Sequence, residues 1–255
     1  AQGISEMTIA KHLDGALELR PRALKKLLTK MSHLPQPESA LTLISTYLPD
    51  CSQITSFGVL LTCLVHASEA TRAFATEIFT ETQVLNLQFC PQVLDPLNSG
   101  FMVGLKKKIW RWDSLTQIDL TGCITANADS LTTLLASCPS LATLVLNQCY
   151  GLDNSFATVI TAAPCVAGSN PTLTRLELAM TTLSDPFFLQ LDKSGLLLPN
   201  LTHLNLRQCV NLTDTSLKII MAKCKDALEA LFIDLCPYFE DIRGLKKFKK
   251  LTSLG

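Results

Sequence analysis

The sequence predicts an α/β solenoid, a row of short parallel strands each followed by a returning helix, with an all-helical cap on its N-terminal side. Three observations carry that expectation. One apolar frame recurs from residue 82 to the end of the chain, and its spacing is that of a single structural repeat. The first 80 residues lack the frame and show helical periodicity instead.

The frame reads Leu-x-x-Leu-x-Leu-x-x-Cys. It runs through Leu115, Ile118, Leu120 and Cys123, then Leu141, Leu144, Leu146 and Cys149. It returns as Leu173, Leu176, Leu178 and Thr181, where threonine replaces cysteine, and as Leu201, Leu204, Leu206 and Cys209. Leu228, Leu231, Ile233 and Cys236 follow, while Thr82, Leu85, Leu87 and Cys90 form an earlier copy lacking its first leucine. The intervals between first leucines are 26, 32, 28, 27 and 23 residues, the last ending at Leu251. Such a frame is that of a leucine-rich repeat. The Leu-x-Leu core is a strand that points alternate residues inward, and the cysteine is a small apolar side chain filling the turn beneath it. A helix then returns, as over 214–223. No repeat buries its apolar face alone, so neighbours must stack.

The phrases Cys209-Val-Asn-Leu-Thr-Asp214 and Cys138-Pro-Ser-Leu141 resemble the cysteine-containing leucine-rich repeats of F-box proteins and their short relatives. The resemblance covers residues 82–255 and implies a curved solenoid with parallel strands on the concave face and helices on the convex face. It leaves the partner open.

Residues 1–80 divide into two amphipathic stripes, Ile9, Leu13, Ala16 and Leu17, then Leu24, Leu27, Leu28 and Met31, with Pro21 between them. Over residues 37–66, Pro37, Ile44, Tyr47 and Leu48 resemble the opening of a degenerate F-box, which departs from the usual pattern at Gln36 and His66. The resemblance implies docking on the adaptor of a cullin-type ubiquitin ligase. The alternative is a helical cap that shields the first repeat. The division is therefore a helical region over 1–80 and a repeat domain over 81–255, whose last repeat is incomplete.

Composition excludes several function classes. With 22 basic and 22 acidic residues the net charge is zero, so no global field draws the chain to nucleic acid or anionic lipid. Charged residues make up 17%, below the roughly 25% of ordinary soluble domains, which suits a surface partly covered by partners. No apolar run reaches the length of a membrane span. The ten cysteines recur at repeat spacing, which points to buried free thiols in a reducing intracellular compartment, cytoplasmic, nuclear or mitochondrial. Their spacing makes no metal site, and neither a cofactor nor a catalytic constellation is expected. A serine at position 149 is expected to leave its buried hydroxyl without a partner.

The basic clusters Lys106 to Lys108 beside Trp110 and Trp112, and Lys246, Lys247, Lys249 and Lys250 around Phe248, are expected to be solvated faces with the aromatic turned inward. The chain is thus expected to be a non-catalytic protein-binding scaffold, a subunit of a larger assembly; the alternative is a ubiquitin-ligase substrate receptor. Partner contacts are expected on the outward columns of the strands. Asp119, Val145, Glu177, Asn205 and Phe232 form one column, Arg207 and Asp234 belong to the next, and Arg175 and His203 to the one before. Phe232 and Arg207 are residue types that serve as anchors. The C-terminal edge is expected to be covered by further residues or by another subunit.

Overall fold

The computed structural model describes residues 6–31, 57–94, 100–107, 112–167, 171–195, 198 and 200–255. Four helices come first: α1 (Glu6–Leu19), α2 (Pro21–Met31), α3 (Phe57–Leu64) and α4 (Glu69–Thr80). Pro21 opens α2, where its missing N–H costs nothing. Both predicted stripes turn inward, with Ile9, Leu13, Leu24, Leu27, Leu28 and Met31 buried. Pro37, Ile44, Tyr47 and Leu48 lie outside the described residues.

Strands and helices then alternate. The strands are β1 (Val84–Asn86), β2 (Gln117–Asp119), β3 (Thr143–Val145), β4 (Arg175–Glu177), β5 (His203–Asn205), β6 (Ala230–Phe232) and β7 (Ser253–Leu254). Between them run α5 (Gly100–Lys106), α6 (Ala128–Leu135), α7 (Phe156–Ala162), α8 (Pro164–Ala167), α9 (Asp185–Lys193) and α10 (Asp214–Lys223), with 3-10 turns at Pro91–Leu94 and Ile242–Lys247. The seven strands form one sheet, all parallel, in chain order. Its register aligns Leu85, Ile118, Leu144, Leu176, Leu204, Leu231 and Leu254, the second position of every frame. The third position, from Leu87 to Leu206, is equally buried.

Strands β1 to β6 end in the same way. The residue before the frame cysteine takes a left-handed conformation, with φ of 54° at Phe89, 73° at Gly122, 59° at Gln148 and Met180, 56° at Gln208 and 57° at Leu235. For a residue with a side chain this costs about 1–2 kcal/mol. The conformation aims that residue's N–H at the next repeat: Phe89 donates to the Thr121 carbonyl at 2.7 Å and Gln148 to the Ala179 carbonyl at 2.8 Å. Of these six turn residues only position 122 is glycine, and a Cβ there would lie 2.4 Å from the Phe89 ring.

The cysteine that follows does more than fill space. The thiol of Cys123 donates to the Leu87 carbonyl at 3.1 Å, Cys149 to Leu120 at 3.2 Å, Cys209 to Leu178 at 3.1 Å and Cys236 to Leu206 at 3.0 Å. Each bond reaches one repeat back. An acceptor therefore faces position 149, so a serine hydroxyl there has a partner, contrary to the expectation from sequence. Thr181 differs, its hydroxyl turning to Leu178 of its own repeat at 2.8 Å.

A second ladder joins the helix starts. The amide of Asn154 pairs with Ser184, donating to its hydroxyl at 2.8 Å and accepting its N–H at 3.0 Å. Asp185 accepts from the Thr213 N–H at 3.0 Å and from the Thr213 and Ser216 hydroxyls at 2.6 and 2.5 Å. Asp214 accepts from the N–H groups of Glu240 and Asp241. In the cap, Asp14 likewise accepts from Ser68, which caps α4, and from Thr71. The cap meets the first repeat where Trp112 stacks on Phe79, ring centroids 5.0 Å apart.

Burial raises the pKa of Asp185, but the Ser216 and Thr213 hydrogen bonds outweigh it and hold the carboxyl below its usual value. Such a group stabilises the fold above the unfolded carboxyl's pKa, and that contribution is lost as pH falls through the depressed folded value. The stability gap between wild type and Asp185→Asn, measured by urea unfolding across pH, should be largest near neutrality. It should close as pH drops below about 4. A gap independent of pH would contradict this role.

Candidate functional site

The sheet face away from the helices is largely committed to itself. Asn86, Asp119 and Asn205 each turn a side-chain oxygen onto the backbone N–H two residues on, at 3.1, 2.9 and 3.0 Å. These Asx turns satisfy backbone donors at the strand ends. Asp119 also accepts from the Gln88 amide at 2.6 Å. Glu177 was expected to face outward, yet it is only 7% exposed. Arg175 donates to one of its oxygens at 2.8 Å and Asn205 to the other at 2.7 Å. The side chain keeps to the outward face, where its neighbours on β4 and β5 cover the carboxylate. Val145 is likewise buried.

At the C-terminal corner of this face, Arg207 pairs with Asp234 and lies over the Phe232 ring, 5.1 Å from its centroid. Arg207 is exposed and Phe232 and Asp234 are half-buried; Arg175, further along the face, is exposed as well. His203 is half-buried and its Nδ1 shares a hydrogen with the Thr202 hydroxyl at 2.8 Å.

The sheet's two flanks differ in character. Where strands turn into helices, large apolar residues adjoin the frame cysteines and stay exposed: Phe89 at 54%, Ile124 at 53%, Tyr150 at 51%, Val210 at 51% and Leu235 at 70%. A hollow of about 400 Å³ opens among Tyr150, Met180, Val210 and Leu235. A second, of about 550 Å³, continues past Val210 and Leu235 to Phe239, Ile242 and Leu254. Sequence reasoning missed this row because it followed the inward frame. The available signal was an apolar residue immediately before or after the cysteine in most copies. At the other end of the helices, α5, α9 and α10 finish on Lys106, Lys193 and Lys223.

The buried thiols are poor nucleophiles. Burial pushes Cys149 up to about 12 and Cys165, Cys224 and Cys236 up to about 11, and it raises Cys123 and Cys138 further. Among the described residues, no group of three His, Cys, Asp or Glu side chains is placed to hold a metal ion. Nor is any helix among them long and apolar enough to cross a membrane. Of the basic clusters, Trp112 and Phe248 are buried, as an aromatic turned inward requires.

No protein-family model matches the sequence. No curated protein matches it either. Among solved structures, a chain of the crystal structure of a Rad7 and Elc1 complex in yeast aligns over 99% of this chain and 77% of its own length, at 14% identity and a TM-score of 0.47.

The two arginine pairs of the sheet face differ in burial, since the side chain of Glu177 is 9% exposed and that of Asp234 is 39% exposed. Removing the cation beside the buried carboxylate should matter more. Arg175→Ala should destabilise the fold by about 1–3 kcal/mol, and Arg207→Ala by no more than about 1 kcal/mol. Chemical denaturation of both variants checks the order, and equal losses would contradict the burial assigned to Glu177.

Proposed function

We propose that this chain is a leucine-rich-repeat solenoid that acts as a non-catalytic protein-binding scaffold within a larger assembly. The observation that carries the reading is the exposed apolar row from Phe89 to Leu235, with its two joined hollows. Monomeric surfaces scatter single apolar residues, whereas a contiguous row marks a surface that another protein covers. The row adjoins the Arg207, Phe232 and Asp234 corner, so an apolar strip meets an arginine and an aromatic ring. That is the composition of an interface core with its anchors. Direct use of Asp119, Glu177 and Asn205 by a partner is disfavoured, because their hydrogen-bonding capacity is spent within the sheet.

A second reading is a substrate-recognition subunit of a cullin-type ubiquitin ligase, with residues 37–66 as the docking module. Its support is the resemblance of Pro37, Ile44, Tyr47 and Leu48 to an F-box opening, together with a helical region that leads straight into the first strand. Helix α3 lends it less, because Leu60, Leu61, Cys63 and Leu64 are buried and the helix packs against α1 and against α5 and the 3-10 turn of the first repeat.

One experiment separates the readings. The full chain, the variant Tyr150→Asp with Leu235→Asp, and the variant Leu48→Asp are each purified by affinity tag from cells, and co-purifying proteins are quantified by mass spectrometry. The scaffold reading expects a partner set that falls at least tenfold in the double variant, with unchanged thermal unfolding. A ligase adaptor recovered with wild type and lost with Leu48→Asp would select the second reading. Identical recovery with the apolar row disrupted would contradict the first.

A further inference from the structure

We propose that the flank where helices return to strands, at the C-terminal end of the sheet, binds an acidic segment of a protein partner. Two stretches remote in sequence meet there, because the Lys249 N–H donates to the Lys225 carbonyl at 3.1 Å. The two stretches carry Lys223, Lys225, Lys246, Lys247, Lys249 and Lys250, and three of these, Lys225, Lys249 and Lys250, surround Asp226. Asp226 and Glu229 lie in the same stretches, and Asp192 of the preceding repeat pairs with Lys223. In a chain of zero net charge these lysines are a local concentration.

The internal pairs show what the surface recognises. Lys249 holds Asp226 at 2.7 Å, and Lys223 holds Asp192 at 2.9 Å. The Asp226 carboxyl is kept below its usual value by the hydrogen bond from Lys249, with Lys225 and Lys250 adding their charge. One exposed carboxylate thus sits among three lysines, and Lys225 and Lys250 carry no ion pair of their own among the described residues. Lysine at a helix C-terminus complements the helix dipole, which accounts for Lys223 at the end of α10 and for Lys246 and Lys247 at the end of the last 3-10 turn. It does not account for Lys225, Lys249 and Lys250, which lie beyond the helix ends.

The chemistry favours a peptide with spaced carboxylates over a nucleic acid. A duplex presents one charge about every 1.7 Å and would run across Asp192, Asp226 and Glu229. The aromatic residue within the cluster, Phe248, is buried and offers no face for base stacking. Lys225, Lys249 and Lys250 line neither apolar hollow, so the inference stands apart from the scaffold reading.

The test is fluorescence anisotropy with the full chain. The probe is a labelled peptide of about 20 residues in which Glu and Asp alternate with Gly and Ser, first in low salt and then at about 0.15 M. The expected result is binding that weakens with salt and falls at least tenfold for Lys225→Glu with Lys250→Glu. The milder Lys225→Gln with Lys250→Gln should lose less in the same direction. Lys25→Glu with Lys26→Glu, on exposed positions of α2, makes the same change in net charge and should leave binding intact. So should the Tyr150→Asp and Leu235→Asp pair, which separates this site from the apolar row. The proposal is overturned by no binding in low salt, by equal losses for the two Lys→Glu pairs, or by tighter binding of single-stranded DNA or of phosphatidylserine vesicles than of the peptide.

Discussion

A strand of three residues cannot persist in water by itself; its backbone bonds are too few and its apolar side too small. Everything in this chain follows from the need of each repeat for a neighbour. The column from Leu85 to Leu231 is buried because repeats stand on either side of it. The left-handed residue at the strand end is tolerated because, from Phe89 to Gln208, its N–H secures the next repeat. The thiol of Cys123, Cys149, Cys209 or Cys236 then reaches back to the repeat before. Forward backbone bonds and backward thiol bonds make the stack cooperative.

The same constraint shapes the surface. Polar side chains on the open sheet face sit near the strand ends and are drawn into holding the stack, as Asn86, Asp119 and Asn205 are. Glu177 is drawn in so far that water scarcely reaches it. The surface less occupied with holding the stack lies on the flanks and at the Arg207 corner, where Arg207 pairs with Asp234. One flank is apolar and the other carries the lysines that end α5, α9 and α10, and two flanks of different chemistry suit a protein that touches more than one neighbour.

The repeat architecture was legible because its signal is local and periodic. Leu-x-Leu with a cysteine three residues later states a strand, its inward side and the turn that ends it, and every described copy falls into register. The two cap stripes were legible for the same reason, since helical spacing alone marks Leu24, Leu27, Leu28 and Met31. The candidate surface was less so. Whether Glu177 faces water depends on Arg175 beside it and on Asn205, 28 residues away. Alternation along one strand holds no trace of that. The thiol donor bonds were hidden likewise, because their acceptors are backbone carbonyls of another repeat.

The account rests on one register, in which the frame cysteines are enclosed between successive repeats, and thiol labelling tests it directly. Native protein would be exposed to iodoacetamide at mildly alkaline pH, digested, and read by mass spectrometry beside a urea-unfolded control. Cys123, Cys149, Cys209 and Cys236 should stay unlabelled while the chain is folded and react promptly once it unfolds, since burial both shields them and raises their pKa. Rapid labelling of these four in the native protein would mean that the cysteines do not lie between the repeats, and the stacking described here would be wrong.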